Sequence, residues 1–174
     1  MGTLKCKIVY VICICFVISK NLAGQNAARL KKNIVHIEAA TKGPFYTINY
    51  ERIFSFREKV LWSYRVGGFV GNNGIAVPIG INAIIGKQKH HAEISFVAIP
   101  YIDHYRSLWN GKNSADKQLY LSPTAGYRYQ KAGGRLYFKI SAGPVLFLDP
   151  PSDDFWEMQP EFYFIGACSL GVSF

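Results

Sequence analysis

The chain is short of charge. Asp, Glu, Lys and Arg make up 18% of its 174 residues, against about a quarter in an ordinary soluble domain. It also lacks an apolar stretch that could cross a bilayer as a helix, which needs ~20 residues; its longest such run is Ile8 to Ile18, IVYVICICFVI. Cysteine is scarce: Cys6, Cys13 and Cys15 fall near or inside that run and only Cys168 lies beyond it, so no disulfide framework can be inferred. Zinc-ligand spacing, a phosphate-cradling glycine loop and a nucleophile elbow are all missing, so neither a metal nor a cofactor is expected. Gly67-Gly68 and Gly71 follow a strand pattern with no helix after them. His90-His91, beside Lys87 and Lys89, has no further ligands nearby and reads as a solvated basic turn. Solenoid repeats and low-complexity tracts are absent too, which leaves a single domain.

What is present begins with an address. Lys5 and Lys7 precede the apolar run, and Asn21-Leu22-Ala23-Gly24-Gln25 follows it with small residues suited to cleavage. A run of that length marks a secretory signal peptide rather than a span, so residues 1–24 are expected to be removed. Residue 25 is Gln and not Cys, which argues against a lipid anchor at that site. Three of the 20 basic residues, Lys5, Lys7 and Lys20, leave with the signal, so 17 stand against 11 acidic ones, a mature charge of about +6. In an exported protein that surplus suits anionic lipid headgroups or lipopolysaccharide, and no nucleic acid partner is expected. Residues 25–33, QNAARLKKN, read as a short flexible leader.

From residue 34 to 174 the pattern is that of strands. Alternating segments run over 34–41, 45–54, 60–70, 75–86, 91–102, 118–130, 135–148 and 162–174. Most have the ~9–11 residues of a tilted membrane strand plus a protruding end. Lys42-Gly43-Pro44, Gly71-Asn72-Asn73-Gly74 and Lys131-Ala132-Gly133-Gly134 supply turn chemistry between them. The connections at 55–59, 87–90 and 131–134 are short, whereas the long ones, 103–117 and 149–161, fall together in the other set. Outer-membrane barrels show this asymmetry, with short periplasmic turns and longer external loops.

The two faces of each strand differ in kind, since successive side chains point to opposite sides. Phe162, Phe164, Gly166, Cys168, Leu170, Val172 and Phe174 share one face of the last strand, against Tyr163, Ile165, Ala167, Ser169, Gly171 and Ser173. Residues 135–148, 118–130 and 91–102 repeat the division. The mixed face carries Glu38, Glu51 and Glu93 with Arg65, Arg128 and Lys139. A water-facing surface would be far richer in charge, so this face is assigned to the barrel interior, where the six are expected to neutralise one another. Trp62, Tyr64, Tyr127 and Tyr129 lie near the short-turn ends on the apolar face, as an interfacial aromatic girdle would.

The C-terminal segment FYFIGACSLGVSF, with Phe174 last and Val172 and Leu170 at alternate positions before it, resembles the assembly signal of outer-membrane barrels. FYTINYERIF resembles the first strands of small outer-membrane proteins from Bacteroidota, and the plan is similar to OmpA-type eight-stranded transmembrane domains. The resemblance implies insertion by the barrel-assembly machinery and a monomer in the bacterial outer membrane, in contact with its lipids and lipopolysaccharide. It departs from OmpA in that no peptidoglycan-binding domain follows residue 174.

The expected fold is therefore all-β: an antiparallel up-and-down transmembrane barrel of about eight strands behind a cleaved signal peptide. The expected role is structural or surface-interacting, without a clear catalytic activity. Three alternatives stand beside it: a lipid-modifying enzyme, a narrow small-solute pore and a secreted soluble ligand-binding barrel. For the enzyme, Asp103, His104 and Ser107 in the long loop offer a base and a hydroxyl for acyl transfer. Pro78, Pro100, Pro123 and Pro144 lie within strand patterns and each removes a ladder donor. They are expected to pair up on neighbouring strands, Pro78 with Pro100 and Pro123 with Pro144, and mark bulges or strand ends, or a lateral opening of the kind outer-membrane palmitoyltransferases of similar size use. Amino-terminal sequencing of the mature protein is expected to begin at or near Gln25; an intact Met1 would make Ile8 to Ile18 a retained anchor.

Overall fold

Period-two alternation allows a chain to bury one side of every strand, and closure of the sheet turns that side into a lumen. The computed structural model describes residues 30–56, 59–71, 74–103, 116–149 and 159–174. Its strands are β1 (Asn33–Ala40), β2 (Tyr46–Phe56), β3 (Leu61–Val70), β4 (Gly74–Ala76), β5 (Ile79–Lys87), β6 (His90–Asp103), β7 (Asp116–Gln130), β8 (Leu136–Asp149) and β9 (Gln159–Ser173). Each is antiparallel to its neighbours, and β1 pairs with β9 (Ile37 opposite Leu170), which closes the ring. β4 and β5 share one place between β3 and β6, so the barrel is eight-stranded and has no free edge to mask.

The segment expected as one strand over 75–86 is thus two, β4 and β5, and the cause is Pro78. Without an N–H it cannot continue the ladder. The Val77 amide instead donates to the Pro100 carbonyl at 3.1 Å, and the Gly67 amide to the Pro78 carbonyl at 2.8 Å. Three strands outrun their expected limits by two residues or more: β2 reaches Phe56, β7 starts at Asp116 and β9 at Gln159. A bulge at Phe54 shifts the β2–β3 register between Ile53 and Ser55. At the two-residue turn between β5 and β6, Gln88 takes a φ of 58°, the sign a tight hairpin of this twist requires.

Pro123 and Pro144 interrupt the β7–β8 ladder. Pairing runs to Leu121 opposite Leu146 and resumes at Ala125 opposite Ala142. The register is unchanged across the gap, so the two prolines face each other and neither can donate. On their outer sides the same prolines keep regular partners, Pro123 opposite Phe96 and Pro144 opposite Phe164.

The end of the barrel that carries both termini is closed. Ahead of β1, the Lys32 carbonyl accepts from the Ile53 amide at 2.8 Å, and the Lys31 carbonyl accepts from Gln130 Nε2 at 3.1 Å. These bonds turn Leu30 inward, where it is buried with Ile34, Ile53, Ile84 and Tyr137. Residues 30–33, the described part of the expected leader, thus form a stopper. Residues 1–29, including the expected signal segment, lie outside the described residues. Leu30→Ala is expected to lower stability by about 2 kcal/mol, the low end for a core Leu→Ala change because the site borders the barrel mouth; urea unfolding of the refolded protein measures it.

Candidate functional site

The lumen contains the chemistry. Alternation turns Glu38 on β1, Glu51 on β2, Arg65 on β3, Glu93 on β6, Arg128 on β7 and Lys139 on β8 inward, all six buried. They join in one chain of contacts. Arg65 grips Glu38 with both terminal nitrogens, Nη1 donating to Oε2 at 2.7 Å and Nη2 to Oε1 at 3.0 Å. The Lys139 ammonium lies 3.7 Å from Glu38 Oε2 and donates to Glu93 Oε1 at 2.9 Å. Arg128 Nη1 closes the series, donating to Glu93 Oε2 at 2.8 Å and to Glu51 Oε1 at 2.6 Å.

Hydroxyls and amides complete the shell. Ser169 donates to Glu38 at 3.0 Å, Ser95 to Glu93 at 2.9 Å and Ser63 to Glu51 at 2.7 Å. Gln130 Oε1 accepts from Arg128 Nε and Nη2 at 3.1 and 2.6 Å, and the Arg128 guanidinium lies 4.8 Å from the Tyr137 ring centre. Three acids and three bases cancel, so each buried charge has an opposite partner, while Glu51 Oε2 and Arg65 Nε make no hydrogen bond. The contact from Arg128 to Glu51 joins β7 to β2, on opposite sides of the eight-strand ring. The network therefore spans the lumen and fills it.

On the loop side of this network the inner wall changes character. A cavity of about 310 Å³ lies there, with Val97, Ile99, Val145, Phe147 and Ile165 among its walls and Glu38 and Arg65 at its base. The β1–β2 connection bends over it: Pro44 is buried, and the Lys42 ammonium sits 3.9 Å from the Tyr163 ring centre. The lumen is thus a cup, stoppered by Leu30, filled at mid-height by ion pairs and hollow above.

The remaining residues singled out from sequence fall in several places. Phe174, Val172 and Leu170 are exposed on the outer face. Pro100, Pro123 and Pro144 lie in β6, β7 and β8, whereas Pro78 lies between β4 and β5. Asp103 ends β6, while His104 and Ser107 lie outside the described residues. His90 and His91, taken from sequence as one solvated turn, are split across the wall. His90 is exposed, with Nδ1 2.6 Å from the Tyr127 hydroxyl, whereas His91 is buried with Nε2 3.2 Å from the Gln130 carbonyl. Sequence patterning gave no sign of the Leu30 stopper or of the cavity. Each depends on residues from distant strands converging, and only the apolar inward positions Val97, Val145, Phe147 and Ile165 hinted at the second. Among the described residues no three His, Cys, Asp or Glu side chains converge as a metal site.

Fold and lumen together define an eight-stranded antiparallel β-barrel with an ion-paired interior and an apolar exterior, consistent in plan with OmpA-type domains. Comparison with protein-family models, curated proteins and solved structures found no match to this chain.

Removing the central cation should cost more than removing the peripheral one. Arg128→Met leaves buried Glu51 without its cation and Glu93 with Lys139 alone, and is expected to cost about 3–5 kcal/mol. Arg65→Met leaves Glu38 beside Lys139 and next to the cavity, and is expected to cost less. Paired urea titrations of the two variants give the order.

Proposed function

We propose that this chain is an outer-membrane protein whose barrel carries a structural or surface-interaction role, exported by a cleaved signal peptide and inserted by the barrel-assembly machinery. One observation carries the proposal, the inversion of polarity between the two faces. Phe162 and Phe164 are 75% and 72% exposed, and Ile37, Ile48, Ile94, Ile140 and Leu170 are exposed around the ring. The lumen, by contrast, holds Arg128, Lys139, Glu51 and Glu93 fully buried. In water this arrangement would leave a broad apolar surface unsatisfied; in a bilayer the same surface meets acyl chains and every ladder bond stays within the protein. Trp62, Tyr64 and Tyr127 sit on the outer face toward the terminal end, where a headgroup layer would meet them. The outward exposure of Leu170, Val172 and Phe174 supports reading that segment as an assembly signal. The ion-paired lumen and the Leu30 stopper weigh against a pore. Loops 103–117 and 149–161 would then carry the external contacts, with lipopolysaccharide and lipid as the immediate surroundings and a monomer as the expected state.

The opposed prolines favour a second reading, a lipid-modifying enzyme with lateral access, since β7 and β8 lack ladder bonds where Pro123 meets Pro144. Under it, His104→Ala alters the acylation pattern of the cell's lipid A; under the first reading that pattern stays as it was. The primary test is semi-native gel migration of the protein from isolated outer membranes. A band in that fraction that shifts on boiling is the expected result. A water-soluble protein with no shift would overturn the membrane assignment.

A further inference from the structure

The cavity above the ion pairs combines apolar walls with polar groups that have no partner. Ser122, 3% exposed, and Arg65, 4% exposed, both line it. Arg65 uses Nη1 and Nη2 on Glu38, yet its Nε has no hydrogen-bond partner, and neither has Ser122 Oγ. Buried donors are rarely left in that state, because an unmade hydrogen bond costs the full desolvation of the group. Both atoms are donors, and both belong to side chains that face one hollow.

We infer that this cup is a binding site for a small amphipathic molecule, with an uncharged hydrogen-bond acceptor directed at Ser122 and Arg65 and an apolar body along Val97, Val145 and Ile165. The head is uncharged because the base of the cup is already balanced. Arg65 is matched by Glu38, and Lys139 by Glu38 and Glu93, and the one further cation of the lining, Lys42, stands over the Tyr163 ring, so an ionised head directed at the base would be buried without a counter-charge. An ester, amide or alcohol satisfies the donors at no such cost. Size limits the body. About 310 Å³ stands at the low end of small-molecule pockets, which suits a short body. A long acyl chain would not fit whole. The stopper at the opposite end makes the site a dead end, which favours retention over transit. The site rests on the geometry of the lumen, and its test takes the membrane setting of the proposed function.

The experiment is an amide-shift titration of the purified, isotope-labelled protein in lipid nanodiscs. Methyl octanoate is the probe, with decane, the octanoate anion and methyl hexadecanoate as comparisons. Methyl octanoate is expected to give saturable shifts at Ser122, Val145 and Ile165, which face inward, and little change at Ile140 and Phe164, which face outward. Ser122→Ala should weaken the ester about fivefold, the effect of one net hydrogen bond, and leave decane as it was. Val145→Trp should fill the cup and abolish the saturable shifts, with Ile165→Phe as the second filled variant if the first does not fold. Shifts confined to outward residues would mean partition into the surrounding lipid and would overturn the site. Equal or tighter binding of the octanoate anion would overturn the uncharged head, and undiminished binding of methyl hexadecanoate would overturn the size limit.

Discussion

The structure depends on charge pairing inside a narrow tube. Eight strands enclose only enough space for side chains, and six of the inward residues are ionised side chains that no solvent can stabilise. Arg65, Glu38, Lys139, Glu93, Arg128 and Glu51 remain there because each meets an opposite charge within hydrogen-bond or ion-pair distance. The consequence is geometric as well as electrostatic. Strand ladders bind each strand only to its neighbours, whereas Arg128 reaches Glu51 across the ring. That contact ties strands on opposite sides of the ring, beside the shorter ties of Arg65 to Glu38 and Lys139 to Glu93.

Buried ion pairs of this sort add little net stability relative to well-packed apolar groups, but losing one member is costly. That asymmetry makes register more important than interaction strength. A one-residue slip in any of the six strands that carry one of these charges would turn its charged residue outward and leave the partner in the lumen unpaired. β1 is an example, with Glu38 inward between outward Ile37 and Ala39. In the proposed membrane setting the penalty applies on both sides of the wall, since the outer face tolerates charge no better than the lumen tolerates an unpaired one.

The lumen is graded along its axis. Apolar packing around Leu30 closes one end, the ion pairs fill the middle, and the far end is hollow with apolar walls. Prolines concentrate in the hollow half. Pro78 splits one strand and Pro123 with Pro144 removes ladder bonds from another pair, so the wall is least tied together where it surrounds empty space. The ionic half, between the prolines and the termini, has unbroken pairing on β7–β8 from Ala125 to Gln130.

Much of this was legible from residue order. Alternation assigns the two faces of β6, β7, β8 and β9 because a strand has only two sides, and turn residues with loop lengths set the count at eight. The inward sign of Glu38, Arg65 and Arg128 follows from the same alternation. What alternation cannot supply is which inward residues meet, because a lumen contact joins strands far apart in sequence and its partner is selected by tilt and stagger. Arg128 pairing with Glu51 and Glu93, and Leu30 entering the barrel end, are decisions of that kind, whereas Pro123 standing opposite Pro144 on a neighbouring strand follows from strand order and register. Composition and period determined that the chain would close into a barrel with a charged interior. Only the tertiary structure decided that its charges would form one continuous brace, and that the space left over would be a cup closed at one end.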